Sequence, residues 1–265
     1  MIALGVLQAR LSSSRLPGKV LRPLLGEPML LRQIERVRRS KVIGDLVVAT
    51  SSQPEDDAIA ALCQRIGVRC MRGSLDDVLD RFYRAAAADA PEHVVRLTGD
   101  CPLADPELID AIVGFHRNGG FDYSSNCLPP TFPDGLDVEA VRFDVLEAAW
   151  REAALPSERE HVMPFIWRRP ERFRLGNFEN PAGDQSWLRW TVDEASDFEL
   201  VTRIYEALYP ANAEFGTREI MALLERQPDL ATLNTHHPRN EGLLKSLAAD
   251  QAAQSAEREL KVNRI

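Results

Sequence analysis

The sequence is poor in cysteine, and its four cysteines are too far apart to form a CxxC pair or another zinc-ligand pattern. We therefore expect neither a disulfide framework nor a structural zinc site. Free thiols suit a reducing compartment, so we expect a cytoplasmic protein. Nothing in the sequence marks a base partner for Cys101 or Cys127, and packing is the simpler role for both thiols.

Excess positive charge and long apolar runs are also missing. The chain carries 32 Lys and Arg against 40 Asp and Glu, a net charge of -8. This balance argues against a general nucleic-acid or anionic-membrane binder, so any anion site must be local. The apolar run before Arg10 is too short for a signal peptide, and no segment is long enough to span a bilayer. We expect no membrane and no nucleic acid among its partners.

The chain also lacks the GxxxxGK[ST] pattern of a P-loop and the GxGxxG pattern of a dinucleotide fold. Instead, "QARLSSSRLPGK" at 8–19 follows the first apolar run and contains Arg10, Arg15 and Lys19. In such a loop, backbone amides and cations can surround a polyphosphate. An ordinary basic surface loop has the same composition, and these residues alone leave both interpretations open.

Apolar runs alternate with segments of helical periodicity along the first half. The predicted strands are 2–8, 45–50, 68–71 and 93–100, and the predicted helices are 29–40, 51–67, 76–88 and 105–116. This alternation predicts a mostly parallel sheet with helices on both faces. The second half is less regular, with strands predicted in 132–141 and 187–193 and helices at 158–169 and 196–209. No linker separates two domains, so we expect the second half to extend the same sheet.

Two acidic residues follow predicted strands at the edge where such sheets bind ligands. Asp100 ends "HVVRLTGD" and Asp193 ends "WLRWTVD". Carboxylates of this kind bind Mg²⁺ together with substrate phosphates. Helix capping is the alternative role for Asp100, although Asp105 is the better cap, and Asp197 suits the first turn of the next helix. Two such carboxylates facing a basic loop predict a site for a metal and a nucleotide.

The order of several motifs resembles one enzyme family. "QARLSSSRLPGKVL" is similar to the "PAR…S…RLPGK" signature of cytidylyltransferases that make CMP-activated acidic sugars, including CMP-Kdo synthetase. "LTGDCPL" and "VDEASDFEL" resemble later motifs of that family. The SpsF-like branch, of spore-coat polysaccharide biosynthesis, also has segments similar to "PEDDAI", "DVLDRF", "GLDVE" and "REHV". The resemblance covers residues 1 to about 235 in the same order.

This resemblance implies a Rossmann-like nucleotide-diphospho-sugar transferase fold of the GT-A type: three α/β/α layers around a mixed, mostly parallel sheet. Arg10, Lys19 and Asp100 would be catalytic, and Mg²⁺ would bind Asp100 and Asp193. The residues expected to bind the nucleotide are Gln8, Ala9, Arg10, Lys19, Thr50, Ser51 and Asp100. Arg15 lies in the signature without an assigned role, and a salt bridge that closes the loop is one explanation for it.

Candidate acceptor residues lie mainly in the second half. Arg72 or Arg159 could clamp a carboxylate or phosphate, and His161 could accept a hydroxyl proton. Asp137 and Glu139 belong to the polar cluster "FPDGLDVE". A solvated or interhelical face is the commoner role for the run around His161. Trp187 and Trp190 could stack on a base, although buried or interface aromatics are commoner.

The implied reaction transfers CMP from CTP to an acidic sugar or a small phosphorylated or carboxylated acceptor and releases pyrophosphate. The implied setting is surface polysaccharide or glycoconjugate synthesis, with a homodimer as the expected assembly. The alternatives are a GT-A glycosyltransferase, another sugar nucleotidyltransferase and a nucleotide-binding regulator. Glycosyltransferases of the GT-A type commonly bind their metal with a DxD motif. Here Cys-Pro follows Asp100, which argues against that alternative. We predict one domain over 1–240, with acceptor or dimer elements at about 120–190, and a helical or flexible tail over 241–265.

Overall fold

The computed structural model describes residues 3–239 and 241–262. The strands found in this part of the chain are β1 (Ala3–Gln8), β2 (Pro23–Leu24), β3 (Glu27–Pro28), β4 (Ile43–Ser51), β5 (Arg69–Gly73), β6 (His93–Thr98), β7 (Tyr123–Ser125), β8 (Glu139–Arg142) and β9 (Leu175–Asn177).

The α-helices described alongside them are α1 (Met29–Val37), α2 (Asp57–Arg65), α3 (Val78–Ala87), α4 (Pro106–Gly119), α5 (Phe143–Glu152), α6 (Pro156–His161), α7 (Pro164–Trp167), α8 (Ala195–Leu208), α9 (Thr217–Arg226), α10 (Pro228–Ala231) and α11 (Glu241–Val262).

One mixed sheet organises the fold, with seven described strands in the order β5-β4-β1-β6-β8-β7-β9. Strands β5, β4, β1 and β6 are parallel neighbours, whereas β8 runs antiparallel to both β6 and β7. Strand β9 pairs in parallel with β7 at the far edge. The second half therefore extends the first sheet, as predicted, and the parallel half places its carboxyl ends along one edge.

Helices cover both faces of this sheet. Along β1, Ala3 and Leu7 belong to the apolar cluster packed by α1, α2, α4, α8 and α9, whereas Leu4 and Val6 belong to the cluster packed by α3, α5 and α7. Alternate residues thus pack on opposite faces, because successive side chains of a strand point to opposite sides. The three-layer α/β/α architecture with a mostly parallel sheet is confirmed.

The prediction of one helix over 158–169 is wrong. Helix α6 ends at His161, Val162 has φ 72°, and α7 begins at Pro164. Proline has no N–H to donate and its ring would clash with the carbonyl of residue 160 in a continuous helix. The chain therefore breaks at Val162 and starts a second short helix with Pro164 in its first turn.

The prediction of a strand over 187–193 is also wrong. This segment makes a single bridge, between Arg189 and Asp134, and the Asp134 carbonyl accepts from both Trp190 N and Thr191 N. The partner chain turns at Gly135, whose φ is 103°, so no ladder can continue beside it. Asp193 consequently follows an extended loop and not a strand.

The terminal segment forms helix α11, which packs on α6. A helical tail over 241–265 was one of two predicted outcomes. Positions 263–265 lie outside the described residues, as does Ile2 of the predicted first strand. The domain boundary at residue 240 stays a prediction.

Candidate active site

The opening loop begins where β1 ends and is tied to the end of β4. Asp56 accepts from Leu11 N at 2.8 Å through one carboxylate oxygen and from Ser51 N at 3.1 Å through the other. The loop then folds back, with Gly18 N donating to the Leu11 carbonyl at 3.1 Å. Gly18 has φ 71°, which glycine adopts at little cost. This turn directs the next residue, Lys19, toward the carboxyl edge of β6.

Lys19 connects the two carboxylates predicted at the site. Its Nζ lies 3.0 Å from Asp100 Oδ2 and 2.8 Å from Asp193 Oδ1, and donates to the Val192 carbonyl at 2.7 Å. Burial opposes the charged form of the ammonium, but the two carboxylates outweigh it and raise the pKa of Lys19. Burial likewise opposes ionisation of Asp100, yet Lys19 lowers the pKa of Asp100 to about 2. Lys19 and Asp100 are therefore both charged at neutral pH.

Arg189 holds the Asp193 carboxylate in place. Its guanidinium is 5% exposed and pairs with Asp134 at 2.9 Å, Asp193 at 2.9 Å and Asp197 at 3.0 Å. Burial alone would lower the pKa of Arg189, but these carboxylates raise it. Asp197 lies in the first turn of α8, where its carboxylate also accepts from Asp193 N and Glu194 N. Asp193 thus has a defined position although no strand carries it.

A cleft of about 510 Å³ opens above this cluster. Gln8, Ala9, Arg10 and Lys19 line it from the β1 side, and Asp100 lines it from the end of β6. Arg10 is exposed, and its guanidinium makes no hydrogen bond or ion pair with any residue that the structure describes. The cleft therefore presents an unneutralised arginine beside a lysine that is already bound to carboxylates.

Acidic side chains dominate the other half of the cleft. Asp137 pairs with Arg239, and Glu139 pairs with Arg96 and accepts from the Tyr123 hydroxyl at 2.6 Å. Burial, followed by the neighbouring carboxylates, raises the pKa of Asp137 to about 7 even though Arg239 opposes this.

His161 lines the same half, with Nε2 3.0 Å from Ser246 Oγ, and burial lowers its pKa. Asp137, Glu139 and His161 thus line the same cleft, and the imidazole is neutral at pH 7.

Four of the predicted site residues lie away from the cleft surface. Thr50 and Ser51 are fully buried, and Ser51 is bonded to Asp56. Arg72 donates to the Ser51 and Gln53 carbonyls and pairs with Asp57. Arg159 binds the Trp150 carbonyl and Asp77. The hydrogen bonds of the Ser51, Arg72 and Arg159 side chains join neighbouring elements and are therefore structural, whereas Thr50 Oγ1 is buried with no partner among the described residues.

The two tryptophan candidates do not line the cleft, whereas Cys101 and Cys127 do. Trp190 is buried in the core, while Trp187 is exposed and outside the cleft lining. Burial raises the pKa of Cys101 and of Cys127 well above the usual range, so neither thiol is ionised at neutral pH.

Sequence reasoning missed several residues that line or support the cleft. Arg96 is a charged residue inside the predicted buried strand 93–100, which was a usable signal for a site. Arg81 of α3 lines the cleft and is almost completely buried. Arg239 and Glu241 reach the site from the C-terminal segment, where no local pattern marked them.

A Rossmann-like sheet whose carboxyl edge holds a cationic loop opposite two carboxylates is typical of nucleotidyltransferases. The family model described as cytidylyltransferase matches residues 4–220. The spore coat polysaccharide biosynthesis protein SpsF of Bacillus subtilis is 37% identical over 235 residues, covering 86% of this chain and 96% of that protein. The chain belongs to the cytidylyltransferase family and is a CTP-dependent nucleotidyltransferase, which confirms the SpsF-like resemblance.

Solved structures agree with this assignment. A cytidylyltransferase from Leptospira borgpetersenii has a TM-score of 0.83 at 30% identity and covers 90% of this chain and 100% of its own. A CMP-2-keto-3-deoxy-manno-octonic acid synthetase solved with CTP has a TM-score of 0.60 at 19% identity, covering 78% of this chain and 99% of its own. The second similarity shows the shared fold alone. No helix in the described ranges is long and apolar enough to cross a membrane.

Proposed function

We propose that this enzyme transfers CMP from CTP to a small acidic acceptor, an acidic sugar or a phosphorylated or carboxylated compound, and releases pyrophosphate. The observation that carries the proposal is the Lys19 ammonium held between Asp100 and Asp193, with the unpaired Arg10 lining the same cleft. The setting we propose is the synthesis of surface polysaccharide or glycoconjugate, and the homodimer predicted from the resemblance is part of the same proposal.

The protein contributes mainly position and charge. Arg10 and Lys19 bind phosphate oxygens and stabilise the charge that develops on the leaving pyrophosphate. Gln8 and Ala9 line the cleft next to them and would contact the base or ribose. An acceptor oxygen attacks the α-phosphorus in line, its proton leaves, and the bond from the α-phosphorus to the bridging oxygen breaks. Pyrophosphate departs with that bridging oxygen.

The donor set fits a magnesium ion. The Asp100 and Asp193 carboxylates already converge on one cation, the Lys19 ammonium. Mg²⁺ usually takes one or two carboxylates and completes its shell with phosphate and water. Mg²⁺ bound there would neutralise phosphate charge and orient the phosphates.

Asp137, Glu139 and His161 lie in the other half of the cleft, where they would contact the acceptor. The neutral imidazole of His161 can accept a hydroxyl proton. The Arg72 and Arg159 side chains are used elsewhere in the fold, so the acidic group of the acceptor would be recognised by other residues.

The test measures pyrophosphate release with Mg²⁺ and each of the four nucleoside triphosphates against a panel of acidic sugars and phosphorylated acids. We expect release with CTP that depends on the acceptor. Arg10→Gln should lower kcat/KM for CTP about tenfold or more, whereas Lys41→Gln, at an exposed position outside the cleft, should not. Transfer from a preformed sugar nucleotide without pyrophosphate would instead support a glycosyltransferase.

A further inference from the structure

Residues 238–239 and 241–250 lie at the active-site cleft, although the family match ends at residue 220. Pro238, Glu241 and Lys245 line the cleft together with the opening loop. Asp250, 3% exposed, accepts from Ser157 N, and Ser246 bonds to His161. The first turns of α11 therefore form one side of the cleft.

Arg15 of the opening loop makes the contact between the start of α11 and the side of the cleft formed by that loop. Its NH2 lies 2.9 Å from Asp193 Oδ2, its Nε 3.5 Å from Glu194 Oε1 and its NH1 3.3 Å from Glu241 Oε2. All three guanidinium nitrogens thus face carboxylates. Arg15 is the signature cation that the proposed reaction leaves without a task.

Nucleotide phosphates entering the cleft would meet this arrangement. Arg15 lines the cleft with Arg10 and Lys19, and a triphosphate attracts every nearby guanidinium. Asp193 also holds Lys19 and Arg189, so it is fixed from two other sides. Glu241 is the partner that can release Arg15 with least disturbance, because it reaches across from a separate helix.

We propose that Glu241 is a positioning residue that competes with the nucleotide phosphates for Arg15, so that CTP binding and docking of the start of α11 oppose each other. This inference rests on the proposed function only in taking the cleft as the phosphate site. Because coupling between two binding events is reciprocal, an anion that takes Arg15 loosens α11, and loss of Glu241 strengthens anion binding.

The helix has other anchors, so removal of Glu241 leaves it in place. The Asp250–Ser157, Ser246–His161 and Arg239–Asp137 contacts do not involve Glu241. An exposed ion pair is worth little, and its loss corresponds to a change of about two- to fivefold in an equilibrium constant. That range is measurable.

The experiment measures dissociation constants by calorimetry on the full chain, with CTP plus Mg²⁺ and separately with tripolyphosphate. Glu241→Gln should tighten both about two- to fivefold. Leu244→Gln, an exposed neighbour on the same helix outside the cleft lining, should change neither. Glu241 also pairs with Lys245 at 2.6 Å, so the matched background carries both Arg15→Gln and Lys245→Gln; there Glu241→Gln should have no effect, which a general change in helix stability would not reproduce.

Hydrogen exchange supplies the reciprocal readout. Saturating CTP should speed amide exchange in the first turns of α11, and the Glu241→Gln variant should lose that response. Weaker or unchanged anion binding in Glu241→Gln would overturn the inference. If the wild-type chain fails to bind CTP, the proposed function is wrong, and the tripolyphosphate titrations then decide the competition for Arg15 independently.

Discussion

Lys19 Nζ lies 3.0 Å from Asp100 Oδ2, although 81 positions separate the two residues in the chain. The opening loop and the end of β6 therefore form one electrostatic unit, in which each charge keeps the other ionised. Because Asp193 completes the unit, removal of one member has a different effect from removal of another.

Asp100→Asn should reduce pyrophosphate release at least 100-fold and cost up to about 2 kcal/mol of stability at neutral pH, because it removes the Lys19 interaction that lowers the pKa of Asp100. Lys19 keeps Asp193 and the Val192 carbonyl in that variant, so no buried charge is left alone. The opposite change, Lys19→Gln, leaves two carboxylates facing each other and should cost about 1–3 kcal/mol of stability. Steady-state kinetics and thermal denaturation of both variants check this. Near-normal turnover of Asp100→Asn would contradict the site assignment.

The stability of the enzyme at low pH should depend on Asp100. Its folded pKa is about 2, below the ordinary value of 3.8. A depressed pKa gives stability that is present above pH 4 and is lost as the pH falls toward 2, by about 2 kcal/mol. Urea denaturation between pH 2 and 5 should show a shallower pH dependence in Asp100→Asn. An identical slope in both proteins would contradict the Lys19 interaction.

Asp137 should make the folded enzyme less stable as the pH rises from 4 to 7. Its folded pKa is about 7, so the folded state holds a proton that the unfolded chain has released. Stability therefore falls as the pH rises through this window, by an amount on the order of 4 kcal/mol. Asp137→Asn should remove the decline while Asp144→Asn, an exposed control, should not. Denaturation at four pH values measures this decline in the free energy of unfolding.

Arg189→Leu should be among the most destabilising substitutions in the chain. It leaves Asp134, Asp193 and the fully buried Asp197 without their shared partner. Loss of one member of a buried ion network costs about 3–5 kcal/mol. Arg203→Leu removes an exposed pair with Glu199 and should cost less than about 0.5 kcal/mol. Comparable losses in the two variants would show that the network contributes little.

Gly135→Ala should displace the extended segment around Thr191 that carries Asp193. A Cβ atom at residue 135 would lie 2.4 Å from Thr191 N, and φ is 103°. We expect a loss of more than about 2 kcal/mol and reduced activity. Gly114→Ala is the matched control, since its Cβ would meet nothing within 4 Å in the middle of α4, and should stabilise slightly. Thermal denaturation and the pyrophosphate assay separate the two.

The sequence predicts the nucleotide half of the site much better than the acceptor half. The strands that end near Gln8 and Asp100 are continuous apolar runs, and Lys19 belongs to a local motif. Arg189 could be seen only as a charge between two tryptophans, because its three partners come from residues that no periodicity links to it. The strand predicted around it failed for the same reason, since the Gly135 turn supplies only one bridging residue.

The antiparallel direction of β8 relative to β6 determines which part of the chain can change without disturbing the parallel strands. Because β8 runs against β6, Glu139 at its beginning meets the same edge as Asp100, and the preceding connection, residues 126–138, supplies Cys127, Leu128, Asp134 and Asp137 to the cleft lining. That stretch can lengthen or change in composition without altering the register of β4, β1 and β6. One side of the cleft can therefore be reshaped through a single connection while the Lys19–Asp100 contact on the other side keeps its geometry.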